Sequence, residues 1–135
     1  MITLKKWWGT FYVEFNKTGL EELIVHFRFT FNKGKLEIIH DNIKKKFKII
    51  KIKPDKDTTM FFINKEEVLI EMNEDEIDYF TEMLGEYQEE GTATYELRTS
   101  GKLKKKLVDV YFDYVSEKDL EDFKDIVSRW ETCLY

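Results

Sequence analysis

The chain has few of the residues that form cross-links, interrupt helices and strands, or build common catalytic motifs. Among its 135 residues are one Cys, one Pro, two His and six Gly. Because Cys133 is the lone cysteine, no intrachain disulfide can form, and a reducing compartment is expected. No apolar run resembles a signal peptide or approaches the ~20 residues of a membrane span. These absences predict a soluble, cytoplasmic protein that does not use a membrane.

The spacings typical of catalytic, nucleotide-binding and metal-binding motifs are also missing. The glycines occur singly, and the sequence contains no GxSxG, GxGxxG or GxxxxGK[ST] motif. His26 and His40 have no second ligand at HxH, HxxxH or CxxC spacing, so a tetrahedral metal site is not indicated. The sequence therefore predicts a protein that is not an enzyme, with no metal and no cofactor.

Apolar and aromatic residues are plentiful. The composition is 42% hydrophobic and 16% aromatic despite 36% charged residues. A chain of this length can bury most of its apolar surface without the help of disulfides or metal ions. A single domain covering residues 1–135 is expected.

Alternating residues predict strands in the first half. In WWGTFYVEF, Phe11, Val13 and Phe15 alternate with polar positions, and LIVHFRFTF repeats this pattern up to Phe31. A short helical turn at 18–22, before the second stretch, is also compatible with the sequence, since Thr18 and Glu21 have capping-box spacing. Further strands are predicted at 36–40, 43–53, 60–63 and 68–72. The apolar phase shifts within 43–53, which predicts a bulge or an edge strand there.

Two amphipathic helices are predicted in the second half. The first begins at the cap Asn73 and ends at Gly91, and the second begins at the cap Ser116. Between them, ATYELRT and KLVDVYFDYV predict a hairpin that turns at Ser100-Gly101.

When the first predicted helix is shifted by 43 residues, its cap and its apolar positions align with those of the second. This favours two β-β-α units, at 58–91 and 92–135, after a β-rich meander at 1–57. The alternative is that any two amphipathic helices share a 3.6-residue period. In both cases the expected fold is α+β, with an antiparallel sheet of about six to eight strands and two helices on one face.

The acidic run EEVLIEMNEDEIDYFTEMLGEYQEEG, at 66–91, contains eleven acids and no base. On a helix these acids form a surface that can take the place of phosphate for a basic protein partner. The leading hypothesis is an inhibitor or antidote, of the toxin-immunity or phage anti-defence kind, that binds such a partner. The contact residues would be Glu74, Asp75, Asp78, Glu82, Glu86, Glu89 and Glu90.

Lysine clusters support an alternative, single-stranded nucleic-acid binding, if the two Lys-rich strands are neighbours. The net charge of −5 and the presence of only three Arg weigh against it. The residues concerned are Lys44, Lys46, Lys48, Lys51, Lys104 and Lys106.

Three weaker signals remain. Asp109 and Asp113, together with His26, could line a ligand-binding or catalytic groove between the repeats. At least one of Trp7 and Trp8 should be exposed, and exposed Trp is typical of binding hot spots. An edge strand at 43–53 could pair with its own copy, which leaves a homodimer open.

Overall fold

A computed structural model describes residues 1–29, 36–53, 59–91 and 97–115 of the chain. These residues form eight strands and two helices. In chain order the elements are β1 (Ile2–Trp7), β2 (Thr10–Phe15), α1 (Lys17–Arg28), β3 (Glu37–His40), β4 (Ile43–Ile52), β5 (Thr59–Ile63), β6 (Glu67–Asn73), α2 (Glu74–Glu90), β7 (Arg98–Leu103) and β8 (Lys106–Tyr114).

The strands close into a barrel in the order β1-β2-β8-β7-β5-β6-β4-β3. Four antiparallel hairpins make up the barrel: β1–β2, β3–β4, β5–β6 and β7–β8. Neighbouring hairpins pair in parallel, through β1–β3, β2–β8, β4–β6 and β5–β7. The α+β class is confirmed, but the expected antiparallel sheet is only partly right. The parallel pairs β1–β3 and β5–β7 arise because each helix follows one strand and precedes another that starts at the same barrel end.

The order β-β-α-β-β occurs twice. The second copy begins at β5, and both helices are capped by an Asn 57 residues apart: Asn16 accepts from the Gly19 N–H, and Asn73 from the Glu76 N–H. The same shift relates the inward residues Phe11, Val13 and Phe15 to Val68, Ile70 and Met72. The shared spacing, order and pairing indicate an internal duplication.

The core lies between the helices and the inward face of the barrel. Phe27 of α1 stacks on Phe80 of α2, with ring centroids 5.6 Å apart, and both rings contact Phe112 of β8. Phe11 and Phe61 meet across the barrel at 5.0 Å, nearer the hairpin turns. The helices therefore pack on the inner side of the wall, and the outer strand faces are left to solvent.

The strand predicted at LIVHFRFTF is wrong, because its described part is helical. Residues 17–28 form α1, and Leu20, Leu23 and Phe27 are buried at helical spacing. Val25 and Phe29, which gave the sequence its alternation, point to solvent. The helix begins at the cap Asn16, whose side chain accepts from the Gly19 N–H at 2.9 Å.

The bulge predicted at 43–53 does not occur, because the register of β4 with β3 and with β6 is continuous. The edge prediction is partly right: beyond Phe47 no described strand pairs with β4 on the β3 side, and the Ile49 N–H there bonds to His26 instead. The homodimer stays a prediction.

Gly101 does not form the predicted turn. It lies within β7, and the hairpin turns at Lys104-Lys105 instead. A Cβ at Gly101 would stand 3.0 Å from the Thr59 carbonyl oxygen on β5. Glycine is used here for the close approach of two strands rather than for a turn.

Other predictions have mixed outcomes. The helix from Asn73 to Gly91 is confirmed at both ends, with Gly91 at a φ of 73°. The hairpin around Asn64-Lys65 is confirmed as β5–β6. The helix predicted from Ser116, and with it the 43-residue repeat and the division at 58–91 and 92–135, lies partly outside the described residues and stays a prediction.

A substitution of His26 would measure how strongly one side-chain hydrogen bond holds α1 against the barrel. His26 is buried on α1, its Nε2 accepts from the Ile49 N–H of β4 at 3.1 Å, and its ring stacks on Phe47. His26→Met introduces a side chain of similar volume but removes the acceptor of the Ile49 N–H. Methionine is also the residue at the matching position of α2, Met83. A loss of about 1–3 kcal/mol in the free energy of unfolding is expected.

Urea denaturation measures this loss, with Val25→Ala as the control because Val25 lies next to His26 but faces solvent. Equal stability of His26→Met and the wild type would show that the Ile49 N–H finds another acceptor.

Candidate functional site

Most acidic residues of α2 lie on the solvent-facing side of the helix. The opposite side of the helix buries Ile77, Phe80, Met83 and Leu84 in the core. We define the acidic ladder as the five acids at i, i+4 spacing along α2, with Asp75 and Glu89 beside them. The ladder residues are Glu74, Asp78, Glu82, Glu86 and Glu90.

The predicted contact residues are not equivalent in the structure. Asp75, Asp78, Glu82, Glu89 and Glu90 are exposed, whereas Glu86 is half-buried. Glu74 is exposed but pairs with Lys51 of β4, with the Nζ–Oε1 distance at 2.7 Å. Glu74 therefore ties the helix start to the barrel.

Glu76, which sequence reasoning treated only as part of the cap, has a structural role. Its carboxylate accepts from the hydroxyls of Thr59 on β5 and Thr99 on β7, and both threonines are buried. The matching residue of α1 is Gly19, which lies directly against Met1 and Ile2. This acid is committed to the fold and is not part of a binding surface.

The acidic ladder conflicts with two local rules of helix stability. Like charges at i, i+4 destabilise a helix by about 0.2–0.5 kcal/mol per pair. Acids in the last turn oppose the helix dipole by about 0.3–1 kcal/mol each, and α2 has Glu89 and Glu90 there with no base. In contrast, α1 ends with His26 and Arg28. Asp78, Glu82, Glu89 and Glu90 therefore do not stabilise the helix that carries them.

The Lys-rich strands are not neighbours. β5 and β6 lie between β4 and β7, so the predicted basic stripe does not form across one sheet face. Three β4 lysines instead face acids: Lys44 faces Glu37 at 3.9 Å, Lys48 faces Glu67 at 3.5 Å, and Lys51 faces Glu74. Lys46, Lys104 and Lys106 are exposed.

The groove residues lie on opposite sides of the barrel wall. His26 is inside, whereas Asp109 faces outward and accepts from the Ser100 hydroxyl at 2.7 Å. Tyr111, between Asp109 and Asp113, stacks on Tyr12 of β2 with centroids 5.4 Å apart. The structure does not bring these three residues into one groove.

A tight turn that the sequence did not reveal connects β1 and β2. Trp8 and Gly9 form it with φ values of 51° and 77°, and Trp7 and Trp8 are 60% and 88% exposed. The β3–β4 turn also has two residues at positive φ, but they are Asp41 and Asn42, residue types that tolerate this conformation. A bulky residue at positive φ is strained by about 1–2 kcal/mol, so Trp8 is not there for stability.

Other site types find little support among the described residues. No group of three or more His, Cys, Asp and Glu could hold a metal ion there. A cavity of about 210 Å³ is lined by short segments of β3 and β4, including Glu37 and Lys45. Neither described helix is long and apolar enough to cross a membrane.

Comparison of the chain with protein-family models, with curated proteins and with solved structures found no match.

The strain at Trp8 leads to a prediction about stability. Trp8→Asn should raise the free energy of unfolding by about 1 kcal/mol, because Asn tolerates positive φ far better than Trp. Urea denaturation measures the change. Asp41→Trp, which places Trp at the matching site of the β3–β4 turn, should lower stability by a similar amount. Lower stability of Trp8→Asn would mean that the exposed indole packs on the protein.

His40 leads to a prediction about pH. Burial lowers its pKa, an effect that Asp41 opposes and Lys45 adds to, and no described residue bonds its buried Nδ1. The folded state therefore binds a proton less readily than the unfolded chain, so stability falls as the pH drops below about 6.5.

The test compares urea midpoints of the wild type and His40→Gln at pH 7.5 and pH 5.5, values chosen to lie about one unit either side of an ordinary His pKa. The wild type should lose more stability than the variant between the two values. An equal loss would assign the effect to other groups.

Proposed function

We propose that this protein is a non-enzymatic interaction module whose acidic ladder on α2 binds a basic protein partner. By occupying the partner's phosphate-binding surface, the ladder would inhibit a nuclease, a toxin or another nucleic-acid-binding effector. This is the activity of an antidote or of an inhibitor of host defence. The lone cysteine fits a partner in the reducing cytoplasm.

The observation that carries the proposal is the conflict between the acidic ladder and helix stability. The like-charged i, i+4 pair of Asp78 and Glu82 lies on the solvent side of α2, and the last turn adds Glu89 and Glu90 without a base. Exposed acids that reduce the stability of their own helix are typical of functional surfaces.

The other helix supports this interpretation, because α1 occupies the matching position in the first repeat. Its exposed side carries Lys17, Thr18, Val25 and Arg28 as well as Glu21 and Glu22. An acidic exterior is therefore specific to α2 rather than a demand of the barrel.

Single-stranded nucleic-acid binding by the Lys-rich strands remains the alternative proposal. It is weaker, because the two strands are separated and three β4 lysines face acids. Titration with an oligonucleotide at two salt concentrations tests it, since phosphate contacts weaken steeply with salt.

The main test uses two matched double variants. Glu82→Lys with Glu89→Lys reverses two acids of the α2 surface, and Glu21→Lys with Glu22→Lys makes the same charge change on α1. All four positions are exposed. The α2 variant should be as stable as the wild type or more stable, because it removes repulsion and adds a base near the helix end.

Each protein is immobilised and used to capture partners from a lysate of its native host, followed by mass spectrometry. The wild type and the α1 variant should retain a basic protein that the α2 variant loses. With the purified partner, the α2 variant should have a Kd at least about tenfold weaker. Equal capture by both variants, or no basic protein captured by the wild type, would reject the proposal.

A further inference from the structure

A second exposed surface lies at the barrel end that carries the hairpin turns. β2 pairs with β8 in parallel, with Thr10 opposite Asp109, and this register brings the Trp8-Gly9 turn beside the start of β8. The β7–β8 turn follows at the same end. We define the hairpin tip by its apolar and its basic side chains. They are Trp7, Trp8, Leu107, Lys6, Lys104, Lys105 and Lys106.

The apolar part of the hairpin tip contains the two most exposed large hydrophobic residues among the described residues. Trp8 is 88% exposed, Leu107 is 70% exposed, and Trp7 contacts Trp8 edge-on with centroids 6.4 Å apart. Large apolar groups that cluster on a surface mark interaction sites.

Backbone strain distinguishes the hairpin tip from the other turns at the same end. Trp8 and Lys104 both have positive φ, at 51° and 60°, although neither residue type favours it. The β3–β4 turn meets the same demand with Asp41 and Asn42. Side chains held at strained backbone positions point to a role outside folding.

The charge of the hairpin tip is positive. Lys6, Lys104, Lys105 and Lys106 are exposed, and none of them forms an ion pair with another described residue. The acidic ladder is on α2, which begins at the opposite end of the barrel, where β6 finishes. An anionic surface would attract the tip and repel α2, and so would orient the whole molecule.

We propose that the hairpin tip docks on the surface of an anionic lipid bilayer, which needs no membrane-spanning segment but departs from the sequence-based expectation that the protein does not use a membrane. Trp prefers the interface between headgroups and acyl chains, where its ring is buried and its N–H stays hydrated. Leu107 adds apolar area beside it, and the surrounding lysines match the negative charge of the headgroups. The two-residue turns keep most backbone groups of the tip paired, which favours shallow insertion.

The shape of the tip favours a bilayer over single-stranded nucleic acid. Proteins hold single strands in a positively charged groove with bases stacked along it. Here the side chains project from the tips of hairpins, and the cavity of about 210 Å³ lies elsewhere, at β3 and β4. Lysine, as a point charge, also suits diffuse contact with headgroups better than bidentate phosphate recognition.

The test uses the full chain and its intrinsic Trp fluorescence. Vesicles of phosphatidylcholine with about one-third phosphatidylserine should shift the emission to the blue and should carry the protein into the pellet. Vesicles of phosphatidylcholine alone should bind much more weakly, and added salt should weaken binding to the anionic vesicles.

Two variants and a control locate the site. Trp8→Asn, which relieves backbone strain and should fold, is expected to weaken vesicle binding roughly tenfold or more. Lys104→Glu with Lys105→Glu should abolish the preference for anionic vesicles. Phe29→Ser, at the exposed apolar residue that follows α1, should leave binding unchanged.

Three results would overturn the proposal. One is no pelleting with anionic vesicles, and another is equal pelleting of Trp8→Asn and the wild type. The third is salt-sensitive quenching by an oligodeoxythymidine strand without any response to vesicles, which would assign the tip to nucleic acid. Partner capture by the acidic ladder is measured separately, so either proposal can fail alone.

Discussion

Three aromatic rings connect the two repeats of this fold. Phe27 of α1, Phe80 of α2 and Phe112 of β8 pack with centroids 5.0–6.0 Å apart, and each comes from a different element. Further ring contacts also join the helices to the strands, such as His26 with Phe47 and Tyr87 with Phe15. Aromatic pairs in these geometries add stabilisation beyond their buried area. A closed eight-stranded barrel needs its interior filled, and the helices together with these rings fill it.

Because the core is on the inside, the outer surfaces of the helices and turns are free to vary. The two repeats meet the same structural demands with different surfaces: α2 carries the acidic ladder where α1 carries mixed charge, and the β1–β2 turn carries Trp8 where the matching β5–β6 turn carries Lys65. Both proposed sites contain residues that reduce local stability, through like-charge repulsion in one case and positive φ in the other. Comparison of the repeats separates these residues from those that the fold needs.

Local signals predicted α2 but not α1. Asn73 and Gly91 mark both ends of α2, and its buried residues recur at a single period. In α1, exposed Val25 and Phe29 alternate with buried Phe27, so a period of two fitted the sequence although a helix forms. The β1–β2 hairpin was missed because Trp8 is not a turn residue. The acids of the candidate site were predicted from composition, but the ion pair of Glu74 with Lys51 depends on the pairing of β4 with β6.

The sequence by itself determined features that depend on residues within a few positions of each other. These features include the caps at Asn73 and Gly91, the inward alternation of β2 and the acidic face of α2. Only the tertiary structure decided barrel closure, the 57-residue repeat and the hairpin tip. Those features depend on parallel pairs such as Thr10 with Asp109, whose partners are far apart in the chain. Such pairings leave no local signature, because they form only when the whole interior is packed at once.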